Sequence, residues 1–335
     1  MADPILVTGA GGYIGSALVR AIAAAGTARI VLLDSSEQNL FGIHRYLEAA
    51  HPDAAHEAIL GSVTDAALLH RIFREFRPGM VYHAAAFKHV PLLELNPLAA
   101  LLNNTMGTYA LAKAALEHGV SSLVLVSTDK AVNPHSIMGA SKRLAELIVA
   151  TLAGPQCRMN AIRLGNVVGS TGSVIPIFLE QISKRGPVTV THSEATRYFM
   201  SLAEAVAAIF AAGVAECSGR ILLPELGQPE RIADLARRLI AAAPGGNEIQ
   251  IRFIGLRPGE KLDEDLLFST ETREGSTAGS LQIILTPTPD PAVLHDRMQQ
   301  IDCLLWSADR ARLIDRICAL VPEYQPSSLI RGALG

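Results

Sequence analysis

The 335-residue sequence is poor in cysteine, and its four cysteines lie far apart with no CxxC pair among them. That spacing argues against a zinc knuckle or a disulfide framework, so we expect no metal site. Unpaired, buried thiols are typical of proteins in a reducing compartment. The four residues are Cys157, Cys217, Cys303 and Cys318.

Runs of one charge and long apolar runs are absent as well. The net charge is -3 and no Lys/Arg cluster occurs, which argues against nucleic acid as a partner. Apolar stretches such as AVAAIFAAGVA, from Ala205, are shorter than the roughly 20 residues that a membrane helix needs. Asp3 and Pro4 precede the first apolar run without a basic leader, which predicts no signal peptide. We therefore expect a soluble, cytoplasmic protein without a membrane span.

The first half of the chain alternates short apolar runs with longer amphipathic stretches. The runs are typical of strands, and the stretches are long enough for helices. This alternation predicts an α/β fold of the Rossmann type, a doubly wound parallel sheet with helices on both faces. Predicted strands are 5–9, 29–34, 58–63, 80–86, 122–128 and 160–167; predicted helices are 17–26, a stretch to about 50, 65–76, 97–118 and 139–154.

The alternation ends near Gly165, where Gly, Pro and polar residues become dense. We predict a dinucleotide-binding domain over 1–165. A smaller substrate-binding lobe with C-terminal helices is predicted over 166–335, and some of its segments are expected to return to the first domain. STETREGSTAGS (269–280) predicts an exposed loop, and AVLHDRMQQIDCLLW (292–306) predicts a helix.

A glycine-rich turn follows the first predicted strand. Gly9, Gly12 and Gly15 in VTGAGGYIGS permit a tight turn and close approach of backbone to a pyrophosphate at the start of a helix. Asp34 ends the second strand, where a carboxylate can bind the adenosine ribose and would repel a 2′-phosphate. The turn therefore predicts NAD rather than NADP. A glycine turn without a ligand and a surface role for Asp34 are the alternatives.

Later blocks of sequence identify a family. Together with the TGxxGxxG turn, they resemble the extended short-chain dehydrogenase/reductases, and more narrowly the nucleotide-sugar 4,6-dehydratases of polysaccharide biosynthesis. The blocks are AAAFKHVPLLELNP (84–97), NNTMGT (103–108), STDKAVNP (127–134), MGASKR (138–143), GNVVGSTGSVIP (165–176), TRYFM (196–200) and GLRPGEKL (255–262). The resemblance implies conversion of UDP-N-acetylglucosamine to a 4-keto-6-deoxy sugar, a tightly held NAD(P) that is recycled within each turnover, and a homo-oligomer.

Two positions depart from that family pattern. Members often carry an Asp and an apolar residue after the third strand to bind adenine, where this chain has Ser62 and Val63. The residue four before Lys142 is usually a tyrosine that takes the proton of the sugar O4, and here it is Met138. A branch that includes membrane-anchored forms is similar in carrying Met. The chain resembles the catalytic part of that branch, and Met138 is expected to shape the substrate pocket.

The block that begins at Ser127 carries the expected proton chemistry. The resemblance implies that Asp129 protonates the departing C6 hydroxyl, that Lys130 removes the C5 proton and that Lys142 binds the nicotinamide ribose. The group that deprotonates O4 stays open between Lys130, Asp129 and a water held by Ser127 or Thr128. Both hydroxyls could stabilise the ketone oxygen. A structural turn with a helix cap is the alternative.

The resemblance assigns further contacts. For the cofactor these are Tyr13, Ile14, Ser62, Val63, Ala84, Ala85, Ala86, Lys88 and Asn104, beside the glycines, Asp34 and Lys142. For the UDP-sugar they are Lys88, Met138, Asn166, Arg197, Arg257 and Glu260, the two arginines at the diphosphate and the glutamate at the ribose. Surface ion pairs are the alternative for the last three residues, and a solvated lysine for Lys88.

Three other functions remain open. A 4-epimerase or a C5-inverting dehydratase would use the same scaffold and first step. Asp129 beside Lys130 favours dehydration, because an epimerase needs no acid at O6. A catalytically inactive dinucleotide sensor is the alternative of another class.

Overall fold

The computed structural model describes residues 3–26, 28–245, 248–276, 281–307 and 309–332. The strands within these ranges are β1 Ile5–Thr8, β2 Ile30–Asp34, β3 His56–Leu60, β4 Met80–His83, β5 Ser122–Thr128, β6 Arg158–Leu164, β7 Asn166–Val167, β8 Val188–Val190, β9 Thr196–Arg197, β10 Phe199–Met200, β11 Arg220–Leu223, β12 Glu230–Arg231, β13 Ile251–Phe253, β14 Thr272–Ser276 and β15 Gln282–Leu285.

Thirteen α-helices connect or flank the strands of the described chain. They are α1 Tyr13–Ala25, α2 Glu37–Ala50, α3 Ala66–Phe76, α4 Val90–Leu95, α5 Pro97–Ala100, α6 Gly107–Glu117, α7 Ile137–Leu152, α8 Val174–Ser183, α9 Leu202–Val214, α10 Ile232–Ala242, α11 Pro291–Ser307, α12 Arg310–Leu320 and α13 Ser328–Gly332. A π-helical segment covers Leu101–Met106, and a 3₁₀ turn covers Asp129–Ala131.

The central sheet has the strand order β14-β15-β11-β6-β5-β4-β1-β2-β3. The strands β11, β6, β5, β4, β1, β2 and β3 run parallel to one another. At the other edge, β15 pairs antiparallel with β11, and β14 pairs antiparallel with β15. The order reverses between β1 and β4, which is the switch point where such sheets bind ligands. This topology confirms the expected α/β, doubly wound fold.

Apolar side chains pack on both faces of the sheet. One cluster lies under α3, α6, α7, α11 and α12, and a second lies under α1, α2 and α9. A third cluster packs α8 and α10 against the short pair β8–β13. Because both faces are buried, the strands read as continuous apolar runs rather than as alternating patterns.

Two predicted elements differ from the structure. The expected helix over 97–118 is divided, since its residues form α5, the π-helical segment and α6, and α4 precedes them. The expected loop over 269–280 is wrong for residues 272–276, which form the edge strand β14. All five residues of β14 are exposed, so no alternation of apolar and polar residues indicated a strand. Residues 277–280 lie outside the described ranges. The helix predicted over 292–306 is confirmed as α11, but it is not the final helix, because α12 and α13 follow it.

Within the described ranges, every helix is too short or too polar to cross a bilayer.

Candidate active site

A cavity of about 1270 Å³ opens at the carboxyl ends of the central parallel strands. Its walls include the turn after β1, the segment after β4, the end of β5 and the segment after β6. Ligands of open α/β sheets bind at such ends. The volume exceeds the roughly 300–1,000 Å³ of a usual small-molecule pocket, which leaves space for two ligands side by side.

The turn after β1 fits a dinucleotide. Gly9 has a φ of 66°, and a Cβ there would lie 2.7 Å from the Cα of Ala85. A Cβ at Gly15 would lie 1.9 Å from the carbonyl oxygen of Gly9. Gly12 precedes α1 without a side-chain cap, so the first N–H groups of the helix are available to an anion. The glycines thus create a close backbone cradle that side chains would fill.

Asp34 is fixed beside that cradle. Its two carboxylate oxygens accept hydrogen bonds from the N–H groups of Gly11, at 2.8 Å, and Ser36, at 2.9 Å. Each oxygen keeps a lone pair for a further donor. The Asp34 side chain is largely buried at the end of β2, whereas the alternative interpretation placed it at the surface.

Asn104 holds the segment after β4 in place. Its side chain accepts from the N–H of Phe87 at 2.8 Å and donates to the carbonyl of Phe87 at 3.0 Å. It also donates to the hydroxyl of Ser141 on α7 at 3.0 Å. Asn104 lies in the π-helical segment and is 1% exposed. It therefore links three elements behind the cavity wall rather than lining the cavity.

Thr128, Asp129 and Lys130 form one hydrogen-bonded unit at the end of β5. The Thr128 hydroxyl donates to Asp129 Oδ1 at 2.9 Å, and Lys130 Nζ donates to the same oxygen at 2.8 Å. Lys130 Nζ also donates to Asn166 Oδ1 at 2.8 Å. Asp129 is fully buried, whereas Thr128 and Lys130 line the cavity. The carboxyl group therefore meets the cavity through its two neighbours.

Lys142 lies one helical turn after Met138 on α7. Its Nζ donates to the carbonyl of Val126 at 2.6 Å. Burial lowers the pKa of Lys142 to about 8, although the Glu146 carboxylate opposes this shift. Met138 is 3% exposed and lines the cavity, so an apolar side chain occupies the position of the family tyrosine.

Ser127 lines the cavity, but its hydroxyl is hydrogen-bonded to a buried carboxylate. Its hydroxyl donates to Glu146 Oε1 at 2.7 Å, so its proton points into the protein interior. Glu146 was missed from the sequence, although its spacing of four residues from Lys142 places both on one face of α7.

Arg197 holds the segment that contains the GLRPGEKL block. Its guanidinium donates to the backbone carbonyls of Thr196 at 2.5 Å, Leu262 at 2.9 Å and Lys261 at 2.9 Å. Its Nε lies 3.5 Å from Glu264 Oε1. These contacts occupy most of its five N–H donors, so this arrangement does not leave a two-pronged contact for a diphosphate.

Arg257, Glu260 and Lys88 lie at the more open parts of the cavity. Arg257 Nε is 3.0 Å from Glu260 Oε1, and the arginine side chain is half exposed. Burial lowers the pKa of the Lys88 amine. The guanidinium of Arg257 is therefore freer to meet a ligand than that of Arg197.

Glu264 is a further cavity residue that the sequence analysis missed. It lies two residues past the GLRPGEKL block, and its side chain is 2% exposed. Its Oε1 is 3.8 Å from Lys130 Nζ. Burial raises the pKa of Glu264, and the Asp129 carboxylate adds to this, while Lys130, Arg197 and Lys261 oppose it. Its Oε2 has no hydrogen-bond partner among the described residues.

The structure thus brings most of the predicted site residues to one cavity. Those that line it are Gly12, Tyr13, Ile14, Gly15, Ala84, Ala86, Lys88, Ser127, Thr128, Lys130, Met138, Lys142, Asn166, Arg197, Arg257 and Glu260. Gly9, Asp34, Ala85, Asn104 and Asp129 lie directly behind this lining. Ser62 and Val63 lie in the turn after β3, where the Ser62 hydroxyl pairs with that of Thr64 and Val63 packs near Gly107.

Residues 5–285 match the family described as "Polysaccharide biosynthesis protein". The chain belongs to this family. That membership confirms the resemblance to the extended short-chain dehydrogenase/reductases of polysaccharide biosynthesis that the sequence blocks indicated.

Relatives within and near the family differ in length and stated role. The chain is 44% identical to the capsular polysaccharide biosynthesis protein CapD of Staphylococcus aureus over 80% of its own length but only 45% of CapD. It therefore corresponds to about half of that relative. It is 36% identical to the inverting UDP-N-acetylglucosamine 4,6-dehydratase of Campylobacter jejuni, over 64% of this chain and 63% of that one.

A solved structure has the same architecture. Pen from Bacillus thuringiensis superposes with a TM-score of 0.75 at 26% identity, covering 86% of this chain and 88% of Pen. The matched fraction is larger than residues 1–165, so the shared fold extends past the strands β1 to β6.

Proposed function

We propose that the protein is an NAD-dependent 4,6-dehydratase of a nucleotide-activated hexose, with UDP-N-acetylglucosamine as substrate, acting in polysaccharide biosynthesis. The observation that carries this proposal is the Thr128–Asp129–Lys130 unit at the cavity, with Lys130 Nζ 2.8 Å from Asp129 Oδ1. An adjacent acid and base are what elimination of water across C5 and C6 requires. The similarity to a dehydratase of this substrate supports the same conclusion.

The cofactor would lie in the glycine cradle, with its ribose near Asp34 and its nicotinamide ribose near Lys142. When bound there, NAD would supply the hydride acceptor for oxidation at sugar C4 and the hydride donor for reduction at C6. Asp34 favours NAD over NADP, because a buried carboxylate that already holds two N–H groups would repel a 2′-phosphate.

The residues suggest how O4 is deprotonated without a tyrosine. Thr128 lines the cavity, and its hydroxyl donates to Asp129. The hydroxyl can therefore give its own proton to that carboxylate while it takes the proton from O4. Ser127 is not placed for this task, since its proton is held by Glu146. Asp129 then returns the proton, again through the Thr128 hydroxyl, to the C6 hydroxyl as water leaves. One proton leaves O4 and one leaves with the water, so the transfer balances.

Lys130 takes the C5 proton and later returns it. The ketone at C4 acidifies C5–H, and Lys130 is the amine in the cavity that adjoins Asp129. Asn166 Oδ1 holds the amine in place by accepting a hydrogen bond from it. We assign Lys88, Arg257 and Glu260 to the nucleotide part of the substrate. Arg197 instead supports the segment that contains the GLRPGEKL block, through its bonds to the carbonyls of that segment.

The test is product analysis with UDP-N-acetylglucosamine in deuterated water. A dehydratase gives a nucleotide sugar that has lost one water and gained one deuterium at C5, measured by mass spectrometry and NMR. NMR also reports whether C5 is retained or inverted. A C4 epimer without deuterium would indicate an epimerase, and bound NAD without any sugar product would indicate a sensor. Either result contradicts the proposal.

A further inference from the structure

A count of protons leaves one unplaced in the proposed reaction. In the structure Lys130 and Asp129 form an ion pair, which corresponds to a charged amine and a charged carboxylate. Oxidation at C4 adds the O4 proton to Asp129. Lys130 must then be neutral to take the C5 proton, because an ammonium group has no lone pair. The proton that Lys130 carried needs a third acceptor.

Glu264 is placed to be that acceptor. Its carboxyl group faces Lys130 and Asp129 from the 3₁₀ turn after β5, Arg197 from β9, and Lys261 from its own segment. Its Oε1 lies 3.8 Å from Lys130 Nζ, and a movement of about 1 Å by a flexible lysine side chain would reach hydrogen-bond distance. Its Oε2 is without a partner among the described residues and can carry a proton.

We propose that Glu264 acts on the reaction through Lys130, by taking its ammonium proton when Asp129 becomes protonated. This inference rests on the proposed function. The step breaks one N–H bond on Lys130 and forms one O–H bond on Glu264. Lys130 then accepts the C5 proton and returns it to C5, and Glu264 gives its proton back at the end of the cycle. No outside acid or base is consumed.

The surroundings of Glu264 suit both of its protonation states. Burial raises the pKa of its carboxyl group, which favours the protonated form. Arg197 Nε, 3.5 Å from Oε1, stabilises the charged form. A carboxyl group held between these two influences can change its state within a turnover at little cost.

The test isolates the lysine step from the oxidation. The purified 4-keto-6-deoxy nucleotide sugar is incubated in deuterated water with the NAD-bound wild type and with NAD-bound Asp129→Asn, and deuterium at C5 is followed by NMR. The Asn side chain, like the protonated Asp129, cannot take the lysine proton, so each Glu264 variant is made in this Asp129→Asn parent. This exchange needs a neutral Lys130 but no oxidation. Glu264→Gln keeps the shape of the side chain and removes the acceptor. We expect it to slow the exchange about 10²-fold near neutral pH, the scale of general base catalysis. We also expect the rate to recover as pH rises, because solvent then takes the lysine proton.

A simple counter-ion role predicts the opposite. Removing a negative charge beside an ammonium group lowers its pKa, so Glu264→Gln would exchange as fast as the Asp129→Asn parent or faster, with its pH profile moved to lower pH. That result would overturn the inference.

Two further variants complete the design. Glu264→Asp keeps a carboxyl group and is expected to retain most of the exchange; a loss as large as that of Glu264→Gln, with bound NAD and folding intact, would indicate a role of shape and also overturn it. Asp263→Asn changes the exposed carboxylate next in the chain, which accepts from Thr196, and is expected to leave the exchange unchanged. A loss there would assign the effect to the segment and count against Glu264.

The outcome for the wild type separates the two claims. If the wild-type enzyme does not exchange C5, the proposed function itself fails. If it exchanges C5, and Glu264→Gln in the Asp129→Asn parent exchanges as well as that parent, only the role of Glu264 fails.

Discussion

Two clusters of four charged side chains lie near the end of β5, and their carboxylate oxygens are satisfied to different degrees. We call the first the closed cluster and the second the open cluster. The closed cluster comprises Arg143, Glu146, Arg163 and Glu271. The open cluster comprises Asp129, Lys130, Arg197 and Glu264.

In the closed cluster every carboxylate oxygen accepts at least two hydrogen bonds. Glu146 accepts from Ser127, Arg143 and Arg163, and Glu271 accepts from both arginines and from the N–H of Phe268. The guanidinium carbons also lie over the Phe268 ring, at 4.2 and 5.4 Å. Arg143 Nε has no hydrogen-bond partner among the described residues, but all four carboxylate oxygens do. The network joins β6, α7 and the segment before β14 into a rigid support.

In the open cluster one oxygen of each carboxyl group has no hydrogen-bond partner among the described residues, namely Asp129 Oδ2 and Glu264 Oε2. Buried polar atoms without partners are costly and tend to be kept where function needs them. The comparison therefore separates a cluster that holds the strand end in place from one whose free lone pairs can accept protons.

Removing the base of the open cluster should have the largest effect. We expect Lys130→Ala to lower turnover by about 10⁴-fold or beyond detection, because no other amine occupies its place at C5. Product formation is measured with UDP-N-acetylglucosamine, and retained NAD reports that the cradle is intact. The control is Lys184→Ala, an exposed lysine paired with Glu180. Near-normal product from Lys130→Ala would refute its role.

Breaking the closed cluster should instead reduce stability. Glu271→Gln leaves Arg163 buried with half of its negative partners, and we expect the free energy of unfolding to fall by about 3–5 kcal/mol. Urea unfolding measures this. Glu264→Gln in the open cluster removes a charge that is only partly compensated, so we expect a much smaller change. Equal losses in the two variants would remove the distinction between the clusters.

Lys142 should make stability depend on pH. Its folded pKa of about 8 lies below the ordinary 10.5, so between these values the unfolded chain binds a proton that the folded chain does not. The free energy of unfolding should therefore rise with pH across this range, by about 3 kcal/mol. Lys142→Met should lack that rise. Urea unfolding of the wild type and of Lys142→Met at both ends of the range measures the difference between their free energies of unfolding. A difference that does not change with pH would contradict the prediction.

Met138→Tyr should have the smallest effect. In the proposed reaction Thr128 and Asp129 already move the O4 proton, so an added phenol is not needed. We expect turnover to stay within a few-fold of the wild type, allowing about 1–3 kcal/mol of strain on stability from the larger ring in a packed site. A large gain in turnover would show that O4 deprotonation limits the natural protein.

The sequence was sufficient for the sheet and for most of the cavity wall. Glycine spacing after β1, the acidic end of β2 and the apolar strand runs are local patterns, and parallel strands bring their carboxyl ends to one edge. The edge strand β14 was missed because its five residues are exposed and carry no apolar alternation.

The sequence was not sufficient for the partners of the site residues. Glu264 approaches Arg197 and Lys130 only after the segment past β13 folds back over β9, and no local spacing encodes these contacts. The burial of Asp129 behind Thr128 likewise depends on the turn after β5. Glu146 is the exception, since its distance of one helical turn from Lys142 was visible in the sequence.

The most direct test of the account is a crystal structure of the protein with NAD and a bound UDP-sugar. The account predicts the hexose in the cavity, with the Thr128 hydroxyl at O4 and Lys130 Nζ within about 3.5 Å of C5, the separation of a near-attack arrangement. A hexose bound with Lys130 and Thr128 directed away from it would contradict the account.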